Sequence, residues 1–128
     1  MISVCIATYN GEKFLRQQIE SILSQLSHDD EIIVSDDCSS DRTIDLLREF
    51  KDERIKLFVN DSNVGVVKNF ENAIKNSTQE FIFLSDQDDV WTPNKVEVVK
   101  KMLNEYDFVS HNANIINEEG GETGADYF

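Results

Sequence analysis

Three aspartates within four residues are the most unusual feature of the sequence. Asp86, Asp88 and Asp89 follow the apolar run of residues 81–84 and Ser85, in the stretch FLSDQDDVW. Carboxylates this close repel one another and are costly to hold at the end of a buried segment. Asp86 and Asp88 are two positions apart, an arrangement that suits a hard divalent ion such as Mg2+ or Mn2+. Such an ion shares its coordination shell with substrate phosphates. Such an ion would relieve the repulsion and attract a diphosphate.

Three further polar segments follow apolar runs in the same way: residues 8–11, 36–41 and 60–65. Ligands of open α/β sheets bind beyond the carboxyl ends of the strands, so these loops and the acidic triplet are expected to line one crevice. Each loop alone fits helix capping equally well, and capping is the role we expect for Asp41. Four such loops together predict a binding site.

Strands and helices alternate in the rest of the sequence. Strands are predicted at residues 2–7, 31–35, 55–59, 80–84 and 108–110, and Ile115-Ile116 could start another. Apolar residues at helical spacing mark the segments between them: Leu15, Ile19, Ile22, Leu23 and Leu26; Ile44, Leu47 and Phe50; Val66, Val67, Phe70, Ala73 and Ile74; Val96, Val99, Met102, Leu103 and Tyr106. Thr92 and Pro93 are predicted as the N-cap and first residue of the fourth helix.

This alternation predicts an α/β fold with a mainly parallel sheet and helices on both faces. We expect the first and fourth strands to be neighbours, with the four polar loops on one edge. The glycine-rich residues 117–128 have no periodicity and are predicted to be a loop or a frayed end.

The length, net charge and cysteine content of the chain limit the number of domains and the classes of partner. The 128 residues suit a single domain, and the formal net charge of −13 disfavours binding to nucleic acid or to an anionic membrane. Cys5 and Cys38 have no metal-site spacing and are expected to be reduced packing thiols in a cytosolic protein. The start of the chain does not have the pattern of a signal peptide, and its apolar runs are too short to span a bilayer.

Several common phosphate-binding and catalytic sites are excluded because their motifs are absent. The sequence has no P-loop, and Gly11 is the only glycine in the turn after the first strand, so a GxGxxG dinucleotide site is absent. No HExxH or Ser/His/Asp arrangement is visible. A phosphoacceptor receiver domain needs an aspartate ending its third strand and a lysine after its fifth. Here the third strand ends Val59-Asn60-Asp61, and no lysine follows Phe108-Val109.

Four segments resemble, in order and spacing, the nucleotide-binding half of family 2 glycosyltransferases, which have the GT-A fold. They are SVCIATYNGEKFLRQQIESILSQ, IIVSDDCSSDRT, NVGVVKNFENAI and FLSDQDDVWTPNK. The resemblance extends from about Ile2 to His111, and SDQDDVW is most similar to the rhamnosyltransferase-like branch. It implies metal-dependent transfer of a sugar from a dTDP- or UDP-sugar to a hydroxyl of a saccharide or lipid-linked saccharide. Inversion at the anomeric carbon and a role in cell-surface polysaccharide synthesis are also implied.

The resemblance also implies roles for individual residues. Ala7, Thr8 and Tyr9 match the strand end that packs on the nucleobase and ribose, and Asp37 matches the carboxylate that binds a pyrimidine base. Lys68 and Asn69 fall near a diphosphate contact. Asp86 and Asp88 match the DxD, with Asp88 as the direct metal ligand and Asp89 hydrogen-bonding behind it. Trp91 is expected to pack the loop rather than touch the sugar, and His111 to be structural at the end of the fifth strand.

The family's catalytic base has no counterpart in this sequence, because Glu118 and Glu119 come too early. We therefore expect residues 1–128 to be one donor-binding domain, cut before the acceptor-binding and base-bearing segment and inactive alone. The expected location is the cytoplasm, with any membrane association indirect and at the inner face. A non-catalytic nucleotide-sugar-binding module is the alternative.

Overall fold

The structure is a computed structural model that describes residues 1–126. The chain forms two compact units, one from Met1 to Val98 and one beginning at Val99. The elements in chain order are β1 (Ile2–Thr8), α1 (Glu12–Leu23), β2 (Glu31–Asp36), α2 (Thr43–Glu49), β3 (Ile55–Val59), α3 (Val66–Lys75), β4 (Phe81–Asp86), α4 (Lys95–Leu103), β5 (Asn114–Ile116) and β6 (Glu122–Asp126).

The first unit contains a four-stranded sheet with the order β3-β2-β1-β4. All its pairs are parallel, and β1 pairs with β4 from Ile2–Phe81 to Ala7–Asp86. The predicted α/β class and the predicted neighbourhood of the first and fourth strands are therefore confirmed. Every residue of β1 and β2 is buried, as expected for central parallel strands that are covered on both faces.

Helices cover both faces of this sheet, as predicted. Ala73 of α3 forms a buried cluster with Cys5 and Ile33 on one face. Gln18 of α1 hydrogen-bonds to Ser85, which pairs with Ile6. Because side chains alternate along a strand, Cys5 and Ile6 point to opposite faces, and α1 and α3 lie on opposite sides.

The two cysteines differ in environment. Burial, with a smaller contribution from Glu31, raises the pKa of the Cys5 thiol to about 12, so Cys5 is an unreactive core residue. Cys38 is exposed and has a φ of 65°, so the prediction that it is a packing thiol is wrong. It lies in the irregular segment that follows β2, outside the core.

Helix boundaries and buried stripes differ from the sequence prediction in α3 and α4. Asn94 has a φ of 68°, which a helix cannot continue through, so α4 starts at Lys95 and Thr92-Pro93 form the preceding turn. In α3 the buried residues are Asn69 and Ala73, whereas Val66 and Val67 are 62% and 77% exposed. Of the stripe predicted for α4, only Val96 is buried, and Met102 and Tyr106 are exposed.

The second unit contains an antiparallel hairpin of β5 and β6. The side chain of Asn117 shapes its turn by accepting hydrogen bonds from the amides of Glu119 and Gly121. Residues 117–126 thus form a turn and a strand rather than a loop, and Tyr127 and Phe128 lie outside the described residues. The strand predicted at 108–110 is wrong: this segment pairs with no strand in the described part of the chain, and Phe108 is 82% exposed. His111 consequently does not end a strand.

Within residues 1–126, no helix has the length and apolar character needed to cross a membrane.

Candidate functional site

A pocket of about 290 Å3 lies at the carboxyl edge of the parallel sheet. Its lining comes from the ends of β1, β2 and β4 and from the β3–α3 segment: Ala7, Thr8, Tyr9, Asp37, Asn63, Gly65, Val66, Asn69, Asp86 and Gln87. All four polar loops predicted to meet at this edge either line the pocket or contact its lining. A wider groove of about 780 Å3 at the opposite edge is lined by charged residues such as Lys56 and Arg54, which already pair with Glu31 and Asp52.

Most residues assigned to the site from the sequence line this pocket. Ala7, Thr8, Tyr9, Asp37, Asn69 and Asp86 are among them, whereas Lys68 and Asp88 are not. Lys68 precedes Asn69 on α3, and successive residues of a helix point about 100° apart, so the buried position of Asn69 turns Lys68 outward. Asp88 lies in the exposed turn beyond β4, next to the pocket in sequence but not in its wall.

Asp37 is the most completely bonded acid of the pocket. Its Oδ1 accepts hydrogen bonds from the Val64 amide at 2.8 Å and Asn60 Nδ2 at 3.0 Å, and its Oδ2 accepts one from the Gly65 amide at 2.9 Å. Burial alone would raise the pKa of Asp37, but these three bonds outweigh it and hold the pKa below its ordinary value. Asp37 is therefore ionised and fixes the loop that leads into α3.

Asn69 supports the same wall from below. It is buried, donates to the carbonyl oxygen of Thr8 at 3.2 Å and accepts a bond from Asn60 at 3.1 Å. The oxygen and the nitrogen of its side-chain amide thus both bind this chain. Asn69 therefore supports the pocket wall and does not present its amide to a diphosphate. Asn60 was not singled out in the sequence, although an amide following a strand in the segment NDSNVG is typical of such a role.

The neighbouring acid Asp36 organises the loops behind the pocket. Its carboxylate accepts hydrogen bonds from Thr8 Oγ1 at 2.7 Å, from Ser39 Oγ at 2.6 Å and from the Ser39 amide at 2.8 Å. Asp41 has a similar role: it accepts from the amides of Thr43 and Glu12, at the first turns of α2 and α1. The formal N-cap of α2 is Arg42, so the capping predicted for Asp41 comes from one residue earlier.

The acidic segment at the end of β4 is arranged differently. Asp86 ends the strand, and within residues 1–126 its carboxylate accepts no hydrogen bond. Its pKa is raised, first by partial burial and then by the charges of Asp89 and Asp88. The segment thus carries negative charge that the described part of the chain does not neutralise at Asp86.

A divalent ion fits this arrangement only in part. Within the described residues no group of three or more His, Cys, Asp and Glu side chains is placed to hold a metal. Asp86 and Asp88 supply hard oxygen donors, and the raised pKa of Asp86 marks a charge that a cation would stabilise. The residues therefore fit an ion that obtains further oxygens from a bound phosphate and water, and do not form a complete cage.

Helix α1 holds the main chain of this acidic segment from behind. Gln18 donates to Ser85 Oγ and to the Asp86 carbonyl, Ser21 Oγ accepts the Trp91 amide at 3.0 Å, and Gln25 bonds to the Thr92 carbonyl and the Val96 amide. Gln18 and Ser21 share one face of the helix, and Gln25 follows in the turn just beyond its last residue, Leu23. This polar stripe was missed in the sequence, where only the apolar residues of α1 were read.

Trp91 packs the loop, as expected. It is 4% exposed, its ring lies 5.8 Å from that of Phe83, and Nε1 donates to Ser85 Oγ at 3.1 Å. The Lys95 ammonium lies 4.5 Å from the centre of the Trp91 ring. Burial lowers the pKa of Lys95, and the charge of Asp89 partly opposes that effect.

The parallel sheet, the helices on both of its faces and the pocket at its carboxyl edge place the chain in the GT-A class of α/β folds. The sequence profile described as "Glycosyl transferase family 2" matches residues 3–127. The chain therefore belongs to glycosyl transferase family 2.

Two relatives show the range of the family around this chain. It is 36% identical to the UDP-Glc:alpha-D-GlcNAc-diphosphoundecaprenol beta-1,3-glucosyltransferase WfgD of Escherichia coli, over 91% of this chain and 47% of WfgD. It is 31% identical to the dTDP-rhamnosyl transferase RfbG of Shigella flexneri, over 96% of this chain and 49% of RfbG. The chain thus spans about half the length of these curated relatives.

The solved structures agree with the fold. Residues 1–349 of TarS from S. aureus, crystallised in complex with UDP, match with a TM-score of 0.75 and 25% identity. The match covers 83% of this chain and 32% of that structure. TarS has also been crystallised with UDP-GlcNAc.

Proposed function

We propose that this chain binds the nucleoside-diphosphate part of a sugar donor and stabilises the departing diphosphate during glycosyl transfer. The observation that carries the proposal is the meeting of Thr8, Asp37 and Asp86 in one pocket at the carboxyl edge of the sheet. Relatives named for UDP-glucose and dTDP-rhamnose and the UDP complex of TarS support a pyrimidine nucleotide.

Asp37 is the residue we assign to the nucleobase. Its Oδ2 accepts one hydrogen bond, from Gly65, and a carboxylate oxygen has room for about two. The free position could accept the N3–H that uracil and thymine share, so Asp37 alone would not separate UDP from dTDP donors. Ala7, Thr8 and Tyr9 form the adjacent wall, where the base and ribose would pack.

Asp86 and Asp88 are the residues we assign to Mn2+ or Mg2+, with Asp88 as the direct ligand. When bound, the ion would neutralise charge on the leaving diphosphate. The chain's own contribution is to hold the two carboxylates at the pocket rim through the bonds of α1 to the β4 end. Asp89 lies close enough to raise the Asp86 pKa and would hydrogen-bond behind this pair.

The acceptor and the base that activates it belong to the rest of the proposed enzyme. We assign residues 1–128 to a single donor-binding domain, with a saccharide or lipid-linked saccharide as acceptor, transfer with inversion, and a role in cell-surface polysaccharide synthesis. The name of WfgD includes a diphosphoundecaprenol-linked sugar, which supports a lipid-linked acceptor and a cytoplasmic location at the inner face of the membrane. Hexosyl or rhamnosyl transfer is the specific reaction proposed.

The test is calorimetric titration of the chain with UDP and with dTDP, each with and without Mn2+. The ion would be coordinated by oxygens of the protein and of the diphosphate, so each should tighten the binding of the other. Thermodynamic linkage makes the two factors equal. Asp88→Asn should abolish this coupling while leaving the fold intact. Asp45→Asn, which removes the same charge from an exposed position on α2, should leave the coupling unchanged.

A wild-type chain that binds neither nucleotide would contradict the proposal. Binding that does not depend on Mn2+ in the wild type, or a dependence that survives in Asp88→Asn, would contradict the metal assignment. Nucleotide binding without any transfer by the complete protein would favour a non-catalytic nucleotide-sugar-binding module.

A further inference from the structure

Gln87, between the paired acids, binds the main chain on the far side of the pocket mouth. Its Oε1 accepts the Tyr9 amide at 2.8 Å, and its Nε2 donates to the Tyr9 carbonyl at 3.1 Å. Tyr9 is 78 positions away in the chain, in the β1–α1 loop. The two-point contact therefore joins the loop that follows β1 to the acidic segment that follows β4.

This contact extends the sheet by one step after the strands have separated. The last main-chain pair of β1 and β4 is Ala7 with Asp86. Beyond this pair, the side-chain amide of Gln87 offers one donor and one acceptor to the main chain of Tyr9, as a neighbouring strand residue would. The Gln87 side chain thus replaces main-chain pairing at the point where the pocket opens.

Gly11 leaves the space that this contact needs. A Cβ at residue 11 would lie 2.3 Å from Gln87 Oε1 and 2.8 Å from Gln87 Cδ. The φ of Gly11 is −103°, which an alanine can also adopt, so the conflict is with the Gln87 side chain and not with the backbone. An alanine at this position would displace the end of Gln87 from Tyr9, although residue 11 itself does not line the pocket.

We propose that Gln87 is a positioning residue that fixes the distance between the Tyr9 wall and the Asp86 rim of the pocket. The inference rests on the proposed function, in which this pocket holds a nucleoside diphosphate. A diphosphate bound between the two walls needs both at the correct separation before it arrives. A contact that fixes the separation in advance lowers the ordering cost of binding.

The test compares Gln87→Ala, Gly11→Ala and the double variant with the wild type. Each single substitution should remove the contact and weaken UDP binding in the presence of Mn2+ by about tenfold. The double variant should bind UDP no more weakly than either single variant, because both substitutions remove the same contact. Alanine is also a poor N-cap for α1, but that cost is the same whether Gly11→Ala is made in the wild type or in Gln87→Ala, so it does not enter the coupling between the two substitutions.

Hydrogen exchange of the Tyr9 amide, measured without ligand, tests the contact independently. Protection of this amide should be lost in all three variants and kept in Gln17→Ala, a control on the exposed face of α1. The fluorescence of Trp91, the only tryptophan, should stay that of the wild type, because Trp91 is held by Ser21 and Ser85 rather than by Gln87.

The outcomes separate this inference from the proposed function. Unchanged protection of Tyr9 in Gln87→Ala would overturn the contact. Lost protection with unchanged UDP affinity, or losses that add in the double variant, would overturn the positioning role. A wild-type chain with a protected Tyr9 amide that binds neither UDP nor dTDP would overturn the proposed function, and with it the role of Gln87 in nucleotide binding.

Discussion

The strands on either side of β1 both deliver a carboxylate to the same pocket, but the two acids are held in opposite ways. Asp37, after β2, accepts three hydrogen bonds, and its pKa is lowered. Asp86, at the end of β4, accepts none within the described residues, and its pKa is raised. The first acid is stabilised by its own chain, and the second is not.

The difference indicates which wall is complete before a ligand arrives. The loop at residues 60–65 closes on Asp37 and needs no further partner. At β4 Gln18 fixes the main chain, but no hydrogen bond from residues 1–126 reaches the carboxylate of Asp86. An acid that is held in place yet electrostatically unfavourable is typical of a functional position, because a stability requirement alone would have paired or removed it.

The largest expected effect on stability comes from removing the carboxylate of Asp37. Asp37→Ala would leave the amides of Val64 and Gly65 and the side chain of Asn60 without their acceptor. We expect a loss of about 3 kcal/mol in the free energy of unfolding, because three hydrogen bonds to one charged acceptor are lost together. Urea denaturation measures this loss, and titration with UDP should show weakened binding as well.

Glu31→Gln is the matched control, at the other end of the same strand. Burial would raise the pKa of Glu31, but hydrogen bonds from Lys56, Ser3 and Thr78 outweigh it and lower the pKa to about 2. This substitution should also reduce the free energy of unfolding, but UDP affinity measured where the variant is folded should be unchanged. Equal effects of the two substitutions on UDP affinity would mean that Asp37 acts only through stability.

A smaller effect is expected from the support behind the acidic rim. Ser85 Oγ accepts hydrogen bonds from Gln18 at 3.0 Å and from the Trp91 ring at 3.1 Å. Ser85→Ala leaves the Trp91 donor unpaired, and Gln18 keeps its bond to the Asp86 carbonyl. We expect a loss of about 1.5 kcal/mol in the free energy of unfolding and a change in Trp91 fluorescence.

Ser77→Ala tests the same chemistry at an exposed site, where the hydroxyl donates to the Ile74 carbonyl. It should cost little, because water replaces the lost bond. If Ser85→Ala proved as mild as Ser77→Ala, the support of the β4 end by α1 would not depend on this hydroxyl.

The sequence predicted the parts of the molecule in which local pattern and tertiary environment agree. The apolar runs of β1 to β4 are buried in a sheet whose order places the four polar loops at one edge. Asp37 and Asp86 were both identified, because each follows an apolar strand. Their opposite environments were not predicted, since these depend on Val64 and Gly65, which approach Asp37 from 27 and 28 positions away.

The errors have the same origin. Helical spacing predicted that Val66 and Val67 would be buried, but spacing does not show which side of a helix meets the sheet, and Asn69 faces it instead. The predicted strand at 108–110 has suitable residues but no hydrogen-bonded neighbour in the described chain. Gln18 and Gln87 were overlooked because a glutamine has no distinctive spacing, and its partners become visible only in three dimensions.

The smallest effect is expected from Asp86→Asn, which tests the comparison directly. Since the folded-state pKa of Asp86 lies above the ordinary value of 3.8, the ionised group destabilises the fold. That penalty is full above the raised pKa and disappears as the pH falls to 3.8, whereas the stabilisation from Asp37 is full above 3.8 and is lost only below it. The variant should therefore be more stable than the wild type near neutral pH, by about 0.5 kcal/mol because water screens the group, and the gain should vanish near pH 4. Urea denaturation at both pH values measures this difference.

With UDP and Mn2+ added at neutral pH, the order should reverse, because only the wild type can use the Asp86 charge. A variant less stable than the wild type at neutral pH without ligand would show that Asp86 is stabilised by its own chain, and the contrast with Asp37 would fail.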